Sequence, residues 1–415
     1  MNYPKLNRHF TFACFLAPPV AGSAVSFLWH GGALWCLIAI VTGQKTLSRD
    51  GTMRVLSALL YLYVALALLS FFANGGDRSS ADELLQLVTL LLFPFSYSVW
   101  SIARKAEIVQ AAALGAAIAG IGALVLAGIQ LYLDIRPEGG AGNSLVFATV
   151  TSLAGITCLA GLLLLNSRWQ LLFLAGYFAS LAAVILSGAR SVWLSMAIVT
   201  LLVLWALRGN LHSTFRKHGR FVVLAIVLVA ILTSSMLASR VQRLVDDWDI
   251  LVEQSSYDTS LGVRLALWDA AARFVAEKPL LGHGMQSTKP LVDAVIKGET
   301  NLDYVYTHFH NGFLTIAVES GLPAMTLILA VFAVAFYAAL KALRSSSVEA
   351  RFGAVLLLGL VVNYVVGGTF NLVIGHDVID TIFMIFLIIG TWLACGSDLE
   401  ERVSAEVNAV PEQQS

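Results

Sequence analysis

Residues 221–239 read FVVLAIVLVAILTSSMLAS, nineteen positions without a charge. That length suits a helix crossing a hydrocarbon core of ~30 Å, which takes ~20 apolar residues. Immediately downstream the character reverses. Residues 240–310 are hydrophilic and close on Tyr304-Val305-Tyr306-Thr307-His308-Phe309-His310-Asn311. A chain that places its one sizeable polar loop between hydrophobic spans keeps its chemistry there. The histidines, together with Arg264 inside the loop, point to a polar, anionic substrate handled at a membrane surface.

Outward from this pair of segments, apolar runs recur along the whole length. Of 415 residues, 58% are apolar and 13% are charged, well below the ~25% charged share of a soluble domain. Twelve runs are long enough to be considered as spans: 10–29, 31–44, 53–73, 84–103, 107–132, 145–165, 169–187, 191–207, 221–239, 312–340, 352–372 and 377–395. The expectation is an all-α polytopic integral membrane protein. Its first nine helices fall within 1–239, a large outer loop with short helices occupies 240–311, and three more helices fall within 312–395. The acidic, Gln-rich segment 396–415 is expected to be a disordered cytoplasmic tail. A formal net charge of zero says nothing about partners when charges are sorted by side of the membrane.

Orientation follows from Lys and Arg in the short connections. One set carries thirteen of them, from Lys45 to Arg351, while the alternate set carries Arg78, Arg136 and Arg190. This predicts cytoplasmic termini and an outward-facing 240–310 loop, periplasmic in a Gram-negative cell. Lys5 and Arg8 before an apolar run mimic a signal peptide, but Pro18-Pro19 interrupts that run, so a retained first helix is expected. Cys14, Cys36, Cys158 and Cys395 lie in or at the ends of apolar runs and read as packing residues. The small residues of Ala111–Gly122 predict close helix approach.

Arg190 sits at the junction of two apolar runs, in Leu186-Ser187-Gly188-Ala189-Arg190-Ser191-Val192-Trp193. Such an arginine either snorkels, with Trp193 at the interface, or meets an anion. Arg264 falls in the first turns of a predicted amphipathic helix, where backbone N–H groups also favour anions. Arg273 on the same helix is expected to be solvated. His308 and His310 suit proton transfer near neutral pH. One intervening residue makes it hard for both to enter one small pocket, and no further ligand pattern supports a metal. Asp246, Asp247 and Asp249 read as a solvated loop start rather than a cation site. Gly282-His283-Gly284 has no preceding strand, so it carries no nucleotide signal.

Residues 310–324, HNGFLTIAVESGLPA, resemble the signature of the O-antigen ligase and polymerase superfamily. That signature is His, then Asn, Ser or Gln, nine residues, Gly, two residues, then Gly, Thr or Tyr. His310, Asn311 and Gly321 match, and Ala324 departs while staying small. Arg264, Trp268, Pro279, Gly282 and Gly284 are similar to the family's loop, and the single large outer loop is closer to the ligases than to the polymerases. The resemblance implies a GT-C-like glycosyltransferase of the inner membrane that needs no cofactor and no metal. It would transfer O-antigen from undecaprenyl diphosphate to lipid A–core, with membrane lipids around it and no nucleic-acid partner. His310 would be the general base, and Arg190 and Arg264 would hold the diphosphate. His308, Asn311, Trp268 and Gly321 would support them. A polysaccharide polymerase sharing donor and base is the nearest alternative. A lipid-linked sugar transporter fits less well, because the spans are nearly free of charge.

Overall fold

The computed structural model describes residues 2–76, 78–254, 257–299 and 306–397. The expected tail therefore lies outside the described residues apart from its first two. Among the described residues every regular element is a helix. Nine helical stretches among the described residues are long and apolar enough to cross a membrane, and two more apolar helices are slightly shorter. The protein is an all-helical, polytopic membrane protein.

The chain opens with α1 (Tyr3–Ala21) and α2 (Ala24–Val41). The first two expected runs, 10–29 and 31–44, are therefore divided eight residues early, around Gly22. Pro18 and Pro19 lie inside α1 and supply no N–H, so the helix ends within a turn of them. Gly22 then takes φ +52 where a Cβ would strike the Gly140 carbonyl.

Next come α3 (Gly51–Ala73), α4 (Leu85–Leu91) and α5 (Phe93–Trp100). The last two replace one expected run, with Pro94 at the break. The small-residue run predicted to pack closely lies in α6 (Lys105–Tyr132). A Cβ at Gly115 would meet Phe12 O at 2.5 Å, and one at Gly120 would meet Gly176 O at the same distance. Gly176 belongs to α8 (Gln170–Leu186), so α6 lies backbone-close between α1 and α8. Between them in sequence is α7 (Ser144–Leu164), buried along nearly its whole length.

After α9 (Arg190–Ala206) the chain enters α10 (Arg208–Gln254), one continuous helix of 47 residues. The apolar run 221–239 is its middle. Residues 240–254, which hydropathy assigns to the loop, prolong the same helix because they contain no Gly or Pro to stop it. The polar segment beyond holds α11 (Ser260–Glu277) and α12 (Thr288–Glu299). Val263, Leu267, Ala270, Val292, Ile296 and Phe309 bury themselves in a small core of their own. Arg273 is exposed as expected, with its i−4 neighbour Asp269 at 3.4 Å.

The chain returns to the bilayer in α13 (Gly312–Leu343), then closes with α14 (Val348–Gly368) and α15 (Asp377–Cys395). Gly321 breaks α13 with φ +84 and ψ 169. The freed backbone groups are satisfied by the loop after α11: Leu322 N donates to Pro279 O, while Val318 O and Glu319 O accept from His283 N and Gly284 N. Gly282-His283-Gly284 is thus a clasp on a helix kink, which accounts for its glycines without a nucleotide. Gly321→Ala would push a Cβ to 2.2 Å from Leu280 O at a positive φ. We expect a loss of about 2 kcal/mol or more, read as a lower melting temperature in detergent. An unshifted melt would remove the clasp from the account.

Candidate active site

The histidine pair is built by three local decisions. Phe309 turns into the small core and is fully buried. Asn311 caps α13, accepting from Phe313 N and Leu314 N at 3.1 Å each. Between them His310 takes φ +50, a left-handed backbone unusual for a residue with a Cβ. That reversal folds its ring back to 4.6 Å from the His308 ring. The two rings therefore meet, which a helical or extended pair would not allow, because the segment is neither at His310.

Trp268 on α11 holds this segment, donating from Nε1 to His310 O at 3.4 Å. Tyr306 stacks edge-on to His310 at 5.0 Å, and Thr307 Oγ1 lies 3.1 Å from His308 Nδ1. Asn311→Ala is expected to cost about 1 kcal/mol by leaving the cap donors unmet. A thermal melt tests this, and a melt unchanged from wild type would contradict the capping role.

Burial, then His308 and Arg264, push His310 down to about 3; burial, then Arg264 and His376, push His308 down to about 4. Both rings are neutral at neutral pH. The guanidinium of Arg264 is held below its ordinary value by burial and then by Arg190. Its Nη1 donates to Ser260 O and Ser260 Oγ, both at 2.9 Å, fixing its plane on the first turn of α11. Arg190, at the start of α9, faces Asp247 of α10 at 3.5 Å. The acidic trio thereby supplies a counter-ion, and Asp246 accepts from Gln242 within α10.

Polar atoms without protein partners gather here. Arg190 Nη1, Arg264 Nε, His308 Nε2 and His310 Nδ1 are all buried and unmatched. Buried polar groups are normally paired, so these four unmatched ones mark a candidate ligand site. Of the residues the sequence brought forward, the fold joins Trp268, His308, His310 and Asn311 and sets Arg264 to act on both histidines, while Arg190 is linked through Arg264. Gly321 supports the site indirectly, through the clasp beneath it. Tyr306 and His376 were missed. His376, the residue capping α15, reaches His308 electrostatically across the bundle, and its only sequence signal is a polar residue at the edge of the last span.

Residues 175–329 match the sequence model of the family described as O-Antigen ligase. That interval includes Arg190, Arg264 and His310. A curated relative, an uncharacterized protein of Haemophilus influenzae, is 23% identical over 197 residues, or 45% of this chain and 48% of the relative. The chain thus matches about half the length of that relative. Over residues 175–329, the segment that carries the arginines and the histidine, the chain is similar to the O-antigen ligase family.

Proposed function

We propose that the protein ligates O-antigen from undecaprenyl diphosphate onto lipid A–core at the periplasmic face of the Gram-negative inner membrane, its termini in the cytoplasm. The observation that carries this is the set of buried, unmatched polar atoms on Arg190, Arg264, His308 and His310, with Arg264 acting on both histidines. His310 removes the proton from an acceptor sugar hydroxyl as that oxygen attacks the anomeric carbon from the face opposite the diphosphate. The bond from the anomeric carbon to the diphosphate oxygen breaks, and its electron pair leaves with the diphosphate. Negative charge grows on phosphate oxygens, where fixed guanidinium donors are worth most. The leaving group needs no proton, so one base suffices, and configuration inverts. In this reading the arginines take the place of a metal, and the twelve-span, GT-C-like frame holds the lipid tails of both substrates.

The burial of the base fixes a pH dependence. An imidazole held near 3 instead of 6.5 stays in its proton-accepting form as pH falls through 6.5. The profile of kcat/KM, which reports the free enzyme, is expected to remain level there and to decline only toward about 4. Bound diphosphate adds negative charge next to the ring, so the acid limb of kcat should lie at higher pH than that of kcat/KM. A kcat/KM midpoint at 6.5 would contradict a buried base.

The activity is tested with purified protein, lipid-linked O-antigen and rough lipopolysaccharide in the presence of EDTA. A glycan ladder on the lipopolysaccharide supports ligation without a metal. Lengthening of the lipid-linked glycan with no ladder assigns the chain to the polymerases.

A further inference from the structure

A second group of cations lies one arginine away from the histidines. Arg136, in the connection between α6 and α7, donates from Nε to Ser187 O at 3.1 Å. Arg240 of α10 approaches the next residue of that turn from another direction. A Cβ on Gly188 would come within 2.5 Å of Arg240 Nη2, so only glycine lets the guanidinium lie on the backbone. Gly188 also holds φ +69. Arg243, one helical turn further along α10, repels Arg136 and Arg240, and Arg240 also feels Arg190.

The anions available are few. Glu138 acts on Arg136, and Asp247 is engaged by Arg190. Arg136 and Arg240 therefore lie against the turn at 187–188, with Arg190 two residues on and Arg243 adding a like charge to both. Arg240 Nε is buried without a hydrogen-bond partner. Like charges gathered at a membrane boundary are costly unless an anion meets them.

This group is separate from the one that faces the reacting centre. The charges that depress His308 and His310 come from Arg264, His376 and His308 itself, and none comes from Arg136, Arg240 or Arg243. Arg190 acts on both Arg240 and Arg264, and its partner Asp247 also acts on Arg264. A diphosphate leaving from beside His310 engages Arg264 and Arg190. The remaining three are left for a phosphate on another molecule, and the other molecule in the cleft is the acceptor.

We propose that Arg136, Arg240 and Arg243 form an acceptor subsite that recognises phosphomonoester groups on the acceptor glycolipid. This rests on the transfer reaction proposed above. It adds a selection rule to it: acceptors are admitted by phosphate, apart from the sugar that is glycosylated.

The test pairs kinetics with equilibrium binding, using the full-length protein in nanodiscs of neutral lipid. Rough lipopolysaccharide is compared with the same material after removal of its phosphates. Wild type is compared with the Arg136→Gln/Arg240→Gln double variant and with Arg243→Gln, whose side chain is exposed and buries nothing in the fold. A thermal melt accompanies each variant. Dephosphorylation is expected to raise the acceptor KM of wild type about tenfold, the size of one charge-assisted hydrogen bond. The double variant should show that rise on the intact acceptor and no further rise on the stripped one. Its donor KM and its kcat at saturating acceptor should match wild type, and Arg243→Gln should shift in the same direction by less.

Binding without donor separates the two proposals. Phosphate-dependent acceptor binding in a protein that makes no ladder keeps the subsite and removes the ligase. A working ligase that ignores acceptor phosphate removes the subsite. A rise in donor KM instead overturns it, placing the three arginines on the diphosphate. So does loss of acceptor binding when phosphatidylglycerol replaces the neutral lipid, since the arginines would then hold ordinary lipid headgroups.

Discussion

His310→Ala is expected to lower kcat/KM for glycan transfer by about 100- to 10,000-fold, the range a positioned general base contributes. Alanine tolerates the left-handed backbone at φ +50 less well than histidine does, so the variant should melt lower than wild type. His310→Asn separates these effects. Asparagine accepts left-handed backbone better than most residues but cannot take the proton. It is therefore expected to be as inactive as the alanine variant while melting close to wild type. An asparagine variant that transfers glycan at near wild-type rates would eliminate His310 as the base. His308→Ala should be milder, since its ring helps to keep His310 neutral without being assigned the proton. If the two phenotypes were exchanged, the base would be His308, whose Nε2 is also unmatched.

The second large effect is expected at Arg264. Changing it to alanine should cost about 100- to 1,000-fold in kcat, as removal of one fixed oxyanion donor typically does. The lysine variant is more informative. The guanidinium spends Nη1 on Ser260 O and Ser260 Oγ and keeps Nε unmatched. Lysine carries the same charge on a single ammonium and cannot be tethered and still present a planar fork. Arg264→Lys should therefore recover little of the lost rate. Substantial recovery would mean that the site needs only positive charge there, and that the Ser260 tether is incidental.

Much of this site was legible in the sequence because local chemistry writes it. A polar Asn before an apolar run is a helix cap, and a histidine beside it sits at the mouth of a span. Arg190 stood out because arginine is scarce on the outer side beyond the large loop, and Arg264 because it falls in the first turns of an amphipathic helix. What stayed hidden was assembled by tertiary structure. His376 comes from the far end of the chain, and nothing near it in sequence announces His308. The meeting of His308 with His310 depends on one backbone angle that neither residue's identity dictates. The boundary at residue 240 misled for a different reason. Hydropathy marks where apolar character ends, whereas helix continuation depends on the absence of breakers, and 240–254 has none. The clasp at Gly321 was visible only as isolated glycines, since the carbonyls they approach belong to another segment.

The uninterrupted course of α10 couples two properties that a flexible joint would keep apart. At ~1.5 Å per residue, its 47 residues span about 70 Å, more than twice a ~30 Å hydrocarbon core. Arg240, Arg243 and Asp247 share one side of this shaft by their spacing, so their azimuth is set by residues inside the bilayer. One alanine inserted within 221–239 would leave hydropathy almost unchanged yet rotate everything beyond it by about 100°, swinging Asp247 away from Arg190. Seven inserted residues would nearly restore the phase while raising the same face by about 10 Å. The lipid-facing stretch of this helix is thus under a constraint of length as strict as that on the residues in the cleft.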